Sequence, residues 1–300
     1  MSLNNELEKL NSIIQPVLQD SSNQISIDIC DYLMSKSKKI RPKLLFLFAK
    51  ALGIHISDEI YNLAVGVEFI HNSTLIHDDI LDDAKMRRNK ISLNYKLGNN
   101  LSILAGDILL TKALYMLSKC KNIKIINIFS DCMYNMCKGE INQHFSIDKL
   151  MSIDEYIQKS EYKTSELFKA TLLSLSVLEN IQQKDEIENF ARNFGIAFQI
   201  KDDLLNILNY DTSKPYLSDI KNGIFTATVI YLNEDKKIAD MSKDDIISQV
   251  QNKKYIKKTI DLIKKYALNA IKSIEFMGDN QFKQEITEMS ENLYKAGINE

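Results

Sequence analysis

The sequence predicts an all-α protein, and three observations lead there. Glycine and proline are scarce, nine and three residues in 300, so little interrupts a helix and strands are not expected. Apolar residues recur at helical spacing from the start, with Leu7, Leu10, Ile14, Val17 and Leu18 on one stripe. No stretch rich in proline, glycine or serine marks a linker, and no short-period repeat is present. One domain spanning residues 1–300 is the simplest account.

Composition narrows the function. A net charge of −2, with 26% charged residues, leaves no electrostatic footprint for nucleic acid. The apolar run Leu44 to Ala49 is far too short to span a membrane, and no other run approaches that length. Residues 1–15 carry acids and amides where a signal peptide needs a basic region and an apolar core. Cys30, Cys120, Cys132 and Cys137 form no Cys-x-x-Cys pair and no ligand spacing, which suits reduced core thiols. These readings place the protein in the cytoplasm.

Residues near 4–35 read as one or two amphipathic helices, for which core packing is a sufficient reason. Lys36-Ser37-Lys38-Lys39-Ile40-Arg41-Pro42 then opens an apolar helix from Lys43. Cationic side chains beside free backbone N–H groups make an anion site, although a solvated charge run reads this segment equally well. The next helix, 61–83, carries Glu68, His71 and the stretch His77-Asp78-Asp79-Ile80-Leu81-Asp82-Asp83. Residues four apart share a helix face, so Asp78 stacks against Asp82, and two carboxylates one turn apart call for a cation. Magnesium takes one or two carboxylates together with phosphate oxygens of a substrate. Arg87 and Arg88 follow within reach of such a phosphate. An isolated motif of this kind reads more readily as a solvated acidic helix end. A second copy, Asp202-Asp203-Leu204-Leu205-Asn206, on the apolar run Phe194 to Ile200, overturns that reading. Two helices each offering a carboxylate pair describe a multi-metal diphosphate site.

These motifs resemble those of the trans-isoprenyl diphosphate synthases of the polyprenyl synthetase family, in the family's order over residues 36–226. The resemblance implies a single helical bundle of the isoprenoid synthase type around a central cavity. It also implies Mg²⁺-dependent head-to-tail condensation of isopentenyl diphosphate with an allylic diphosphate. Three Mg²⁺ ions bridged by diphosphate would be held by Asp78, Asp82 and Asp202, with Asp79, Asp83 and Asp203 in support. Lys38, Arg41, His71 and Arg88 would bind isopentenyl diphosphate. Arg87, Lys163, Thr164, Gln199 and Lys214 would bind the allylic one, with Arg87 and Lys163 sharing in catalysis. Leu104 to Leu110 would line the cavity, and Gly139-Glu140-Ile141-Asn142-Gln143 matches a further helix of the family.

Five positions depart from the pattern. Lys36 and Ser37 replace two glycines, Asn89 replaces a glycine, Asn206 stands where many members have Asp, and Ile224 stands where the family has a lysine. Ser73 and Thr74, one turn before Asp78, are small where farnesyl-making members carry aromatics, so the product shaft is open. Geranylgeranyl diphosphate is the first expectation and longer chains the next, with Ile70, Val67, Met133 or Met136 at the floor. Ser242 and Asp245 suit a capping box near the C-terminus. The family implies a homodimer.

Three other readings compete. His77-Asp78 is also the doublet of HD-type metal phosphohydrolases. A class I terpene cyclase shares Asp-Asp-x-x-Asp but not the basic site at Lys38, Arg41 and Arg88. A non-catalytic subunit of a heteromeric prenyl synthase would keep the fold alone.

Overall fold

The computed structural model describes residues 2–18, 24–33, 38–88, 90–208 and 217–295. The chain is almost wholly helical, as its scarce helix breakers require, and it divides into two compact units. One is drawn from residues 1–129, 171–182 and 280–282, the other from 130–170, 183–279 and 283–300.

The first unit opens with α1 (Leu3–Leu18) and α2 (Gln24–Leu33). Leu10, Ile14 and Leu18 of the expected stripe are buried. Buried Glu6 ties α1 down by accepting from Tyr61 and pairing with Lys50 at 2.8 Å. Helix α3 (Ile40–Ala51) begins three residues before the expected Lys43. Pro42 falls in its first turn, where a missing N–H leaves nothing unsatisfied. Leu44 to Ala49 are all buried. A helix apolar on every side belongs inside a core, and each such large side chain contributes about 1.5–3 kcal/mol.

Helix α4 (Asp58–Leu81) starts on Ser57, which accepts from the Ile60 amide, with Asp58 and Glu59 facing the positive helix end. It stops at Leu81 rather than at 83: Asp82 caps it and Asp83 turns to a left-handed backbone (φ 48°). A short ladder follows that the sequence did not lead us to expect, β1 (Met86–Arg87) antiparallel to β2 (Lys90–Ile91). It closes the tight turn after α4 by satisfying backbone groups that no helix can reach.

After α5 (Leu93–Leu97), helix α6 (Asn99–Ser118) packs along α4 through small side chains, among them Ser102, Ala105, Gly106 and Ala113. The approach is close: a Cβ on Gly66 would lie 2.8 Å from Leu117 Cδ2. The opposite face of α6 exposes Leu101, Leu104, Ile108, Leu114 and Tyr115. The segment 104–110, expected to line the cavity, buries Ala105, Gly106 and Leu109 and exposes Leu104 and Ile108. By length and composition α6 could also cross a membrane, which a search for unbroken apolar runs misses because Asp107 and Lys112 interrupt it.

Helix α7 (Ile123–Phe145) belongs to the second unit from Ser130 on. Then come α8 (Ile153–Ser160), a π-helical turn (Glu161–Ser165), α9 (Glu166–Leu178) and α10 (Lys184–Leu208). The remaining helices are α11 (Ser218–Lys221), α12 (Ala227–Asp235), α13 (Lys243–Val250), α14 (Lys253–Ser273) and α15 (Gln281–Lys295). Helix α10 packs along α14, and its Phe194 lies 5.3 Å from the Phe168 ring and 5.5 Å from that of Phe190. Complete capping boxes start α8 (Ser152, Glu155) and α13 (Ser242, Asp245), the second as its sequence indicates. Cys120 and Cys132 are buried and Cys137 is exposed, so the core-thiol expectation holds only in part.

Candidate active site

In the first unit the acidic motif occupies the last turn of α4. Asp82, at the cap, keeps its amide on the Asp78 carbonyl at 2.9 Å, so the two side chains remain one turn apart. Asp79 faces inward. It is 1% exposed and accepts from the Tyr32 hydroxyl at 3.1 Å and from Arg87 Nε at 2.7 Å. Its carbonyl takes the Asn94 amide at 3.0 Å. Arg87, expected to reach a diphosphate, is braced by this pairing with Asp79. Burial, and the charge of Asp79, push the Tyr32 phenol up, so it stays a donor. Asp83 is exposed at the turn, and among the described residues its side chain makes no hydrogen bond to Asp78 or Asp82.

A basic pocket lies alongside. Glu68, fully buried, sits within the fields of Lys39, Arg41 and Arg88; burial raises its pKa while the three cations pull against it. His71, one turn on, is held well below the usual histidine range by burial and by Arg41, Arg88 and Arg87, so its ring is neutral. Arg88 adopts a left-handed backbone (φ 51°), and its Nη1 is buried with no hydrogen-bond partner among the described residues. Such a conformation costs a non-glycine residue about 1–3 kcal/mol and concentrates at functional sites. Of the four residues expected to bind isopentenyl diphosphate, Arg41, His71 and Arg88 converge. Lys38 is exposed; the lysine drawn into the pocket is its neighbour Lys39, left-handed (φ 43°) and bonded to Asn11.

In the second unit the π-helical turn carries Lys163 and Thr164. Such turns insert one extra residue and recur at functional sites. Two glycines make room: a Cβ on Gly139 would meet Tyr162 Cβ at 2.8 Å, and one on Gly195 would meet Ser165 Cα at 2.6 Å. Lys163 Nζ donates to Glu140 at 3.0 Å and to Gln143 at 3.4 Å, and Gln143 donates to Glu140 at 2.8 Å. Thr164 donates to Gln199, whose amide donates to Asp203 at 2.7 Å. Asp203 also accepts from the Tyr156 hydroxyl at 2.6 Å. Burial raises the Asp203 pKa against the pull of Lys159. Asn206 is buried and donates to Ser218 at 3.1 Å, which ties the end of α10 to α11.

Each acidic pair thus has one member held by a tyrosine, Asp79 or Asp203; Asp79 is buried, and Asp78, Asp202 and Asp203 are partly exposed. Among the described residues no three carboxylate, histidine or cysteine groups form a ready-made metal cluster. That donor set fits magnesium, which binds by one or two carboxylates and completes its shell with phosphate and water. His77 turns to α6, 3.4 Å from the Ile103 carbonyl and 3.7 Å from Asp107, so the His-Asp doublet does not act as one unit. Ser73 is buried and donates to the Gly106 carbonyl at 2.9 Å, Ile70 is buried, and Thr74 bonds back to the His71 carbonyl at 2.8 Å. Ser73 therefore faces α6 rather than an open shaft. Lys36, Ser37, Asn89 and Lys214 lie outside the described residues. The sequence reading missed Tyr32, Lys39, Tyr156 and Lys159; only Lys39 carried a signal, as part of the basic run.

Comparison with known proteins agrees with this geometry. The polyprenyl synthetase family model matches residues 23–263. A prenyl transferase of Cyanidium caldarium is 30% identical over 98% of this chain and 94% of its own. Solanesyl-diphosphate synthase 2, chloroplastic, of Oryza sativa subsp. japonica is 29% identical over 99% and 76%. In fold, the polyprenyl synthase from Caulobacter crescentus CB15, complexed with calcium and isoprenyl diphosphate, superposes with a TM-score of 0.89 at 23% identity, covering 97% of this chain and 94% of that one. With both acidic motifs, the basic pocket and the Lys-Thr turn each in place, the chain belongs to the polyprenyl synthetase family and is a trans-prenyltransferase.

Proposed function

We propose that the protein extends an allylic diphosphate by head-to-tail addition of isopentenyl diphosphate and releases a product longer than twenty carbons. The observation that carries this reading is the basic pocket of Arg41, Arg88 and neutral His71 beside, but distinct from, the acidic turn of α4. One diphosphate needs metal-bearing carboxylates, the other needs cations alone. A terpene cyclase has use for only the first, and a phosphohydrolase leaves the Lys163-Thr164 turn without a role.

In this reading Asp78, Asp82 and Asp202 would hold Mg²⁺, and Lys163, Thr164, Gln199 and Lys214 would bind the allylic diphosphate. Arg87, fixed by Asp79, presents its remaining N–H groups to the same charge. When bound, the metal would supply Lewis acidity toward the leaving group's charge. The allylic C–O bond breaks, the isopentenyl alkene attacks the cation so formed, and a proton leaves to the departing diphosphate. Arg41, His71 and Arg88 orient the isopentenyl diphosphate, and a neutral His71 can donate one hydrogen bond without adding repulsion to the developing cation. Apolar side chains exclude water that would quench it.

The small Thr74 and the rice relative's name, a solanesyl diphosphate synthase, support a long product. The exposed apolar face of α6 supports a homodimer. The test is to incubate the protein with Mg²⁺, labelled isopentenyl diphosphate and, separately, C5, C10, C15 and C20 allylic primers, and to size the extracted products. A defined product beyond C20 is expected. A C15 product keeps the enzyme and overturns the length assignment, and no condensation with any primer favours a non-catalytic subunit.

A further inference from the structure

We propose that Lys159 is a diphosphate-binding residue of the second acidic motif, acting beside Lys163. This rests on the prenyltransferase reading of the site and adds to it a residue outside every motif of the sequence. Lys159 lies in the last turn of α8, four residues before Lys163, and each ammonium feels the other's charge. Two lysines one turn apart repel, as two aspartates do, and a shared counter-ion removes the cost. Lys163 is braced by Glu140 and Gln143. Lys159 has no such brace: among the described residues it makes no hydrogen bond or ion pair, and its nearest defined contact is the Tyr156 ring, 5.5 Å from Nζ.

Burial lowers the pKa of Lys159, while Asp203, Asp219 and Glu140 hold the ammonium charged against it. Two of the three are already engaged by other groups. Asp203 already accepts from Tyr156 and Gln199, and Glu140 is engaged by Lys163. A lysine whose stem is buried and whose charge is left unpaired is costly unless a ligand completes it. A diphosphate, with several charges and oxygen acceptors, is the ligand that Lys163 and Asp202 are already placed to receive. The chain also has Ile224 where a cation was expected from the sequence; its amide is bonded to the Asp219 carbonyl at 2.8 Å, beside the carboxylate whose field Lys159 feels.

The experiment compares wild type, Lys159→Met and Lys159→Arg. Calorimetry measures binding of an unreactive allylic thiodiphosphate with Mg²⁺, and steady-state kinetics gives KM for each substrate. Lys159→Met is expected to weaken the analogue about tenfold or more, as loss of a charged hydrogen bond does, and to raise the allylic KM in parallel. The isopentenyl KM should stay within about twofold and Lys159→Arg within about threefold of wild type. Unchanged analogue binding in Lys159→Met overturns the assignment. So does an equal rise in both KM values, or an Arg variant as weak as Met, since either marks a structural role. If Lys159→Met does not fold, Lys159→Gln serves in its place. A wild type that extends no primer overturns the functional reading itself, whereas an active wild type with an unaffected Met variant overturns only this one.

Discussion

His71 shows how burial decides chemistry at a single residue. Its folded pKa lies below the unfolded value of about 6.5, because burial and three neighbouring guanidinium groups disfavour the imidazolium. Between the two pKa values the unfolded chain binds a proton that the folded chain does not. Stability from this residue is therefore complete above about pH 6.5 and is lost as the pH falls below it, by at most about 1.4 kcal/mol per pH unit. Denaturant unfolding of wild type and His71→Asn from pH 7.5 to 5 should show the difference between them shift in that sense. A difference that stays flat would mean that folding does not shift the ring's pKa. The spacing of Asp78 and Asp82 is legible in the sequence because it is local. What holds Asp79 and Asp203 is not, since each is fixed by a tyrosine 47 residues upstream, Tyr32 and Tyr156. The same holds for Arg88 and Lys39, whose left-handed backbones no residue pattern announces.

At the scale of elements, the π-helical turn is the device that aims Lys163 and Thr164, and it depends on missing side chains. Gly195→Ala would bring a methyl within 2.6 Å of Ser165 Cα, a backbone atom that cannot step aside alone. The turn must shift, at a cost of about 1–3 kcal/mol typical of overpacking. The expected outcome is a lower melting temperature with unchanged helix content by circular dichroism, and a kcat that falls more than the loss of folded protein accounts for. Normal kcat and stability would mean that the turn yields freely. The helices carrying Gly139 and Gly195 are readable from the sequence, but the close approach to Tyr162 and Ser165 is a tertiary fact, and so the π turn is not. Thr74, half-buried on α4 one turn before Asp78, is the matching control point for length. Thr74→Phe is expected to shorten the product by one or more isoprene units, read by sizing as above. A ladder of unchanged length would place the limit elsewhere.

For the molecule as a whole, the family match from 23 to 263 takes in parts of both compact units. What the fold leaves uncovered is the outer face of α6. Monomeric proteins rarely expose contiguous apolar patches beyond a few hundred Å², yet Leu101, Leu104, Ile108, Leu114 and Tyr115 are all exposed along one helix of twenty residues. A second copy covering this face would bury it by a self-complementary contact, the commonest form of closed association. It would also press on the helix whose other side holds Ser73 and His77 through Gly106 and the Ile103 carbonyl. Association and product length are therefore expected to move together. Leu104→Lys combined with Tyr115→Lys should convert a dimer to monomers in sedimentation velocity, and the loosened α4–α6 packing should broaden the range of product lengths. A wild type that sediments as a monomer at micromolar concentration would overturn this reading of α6.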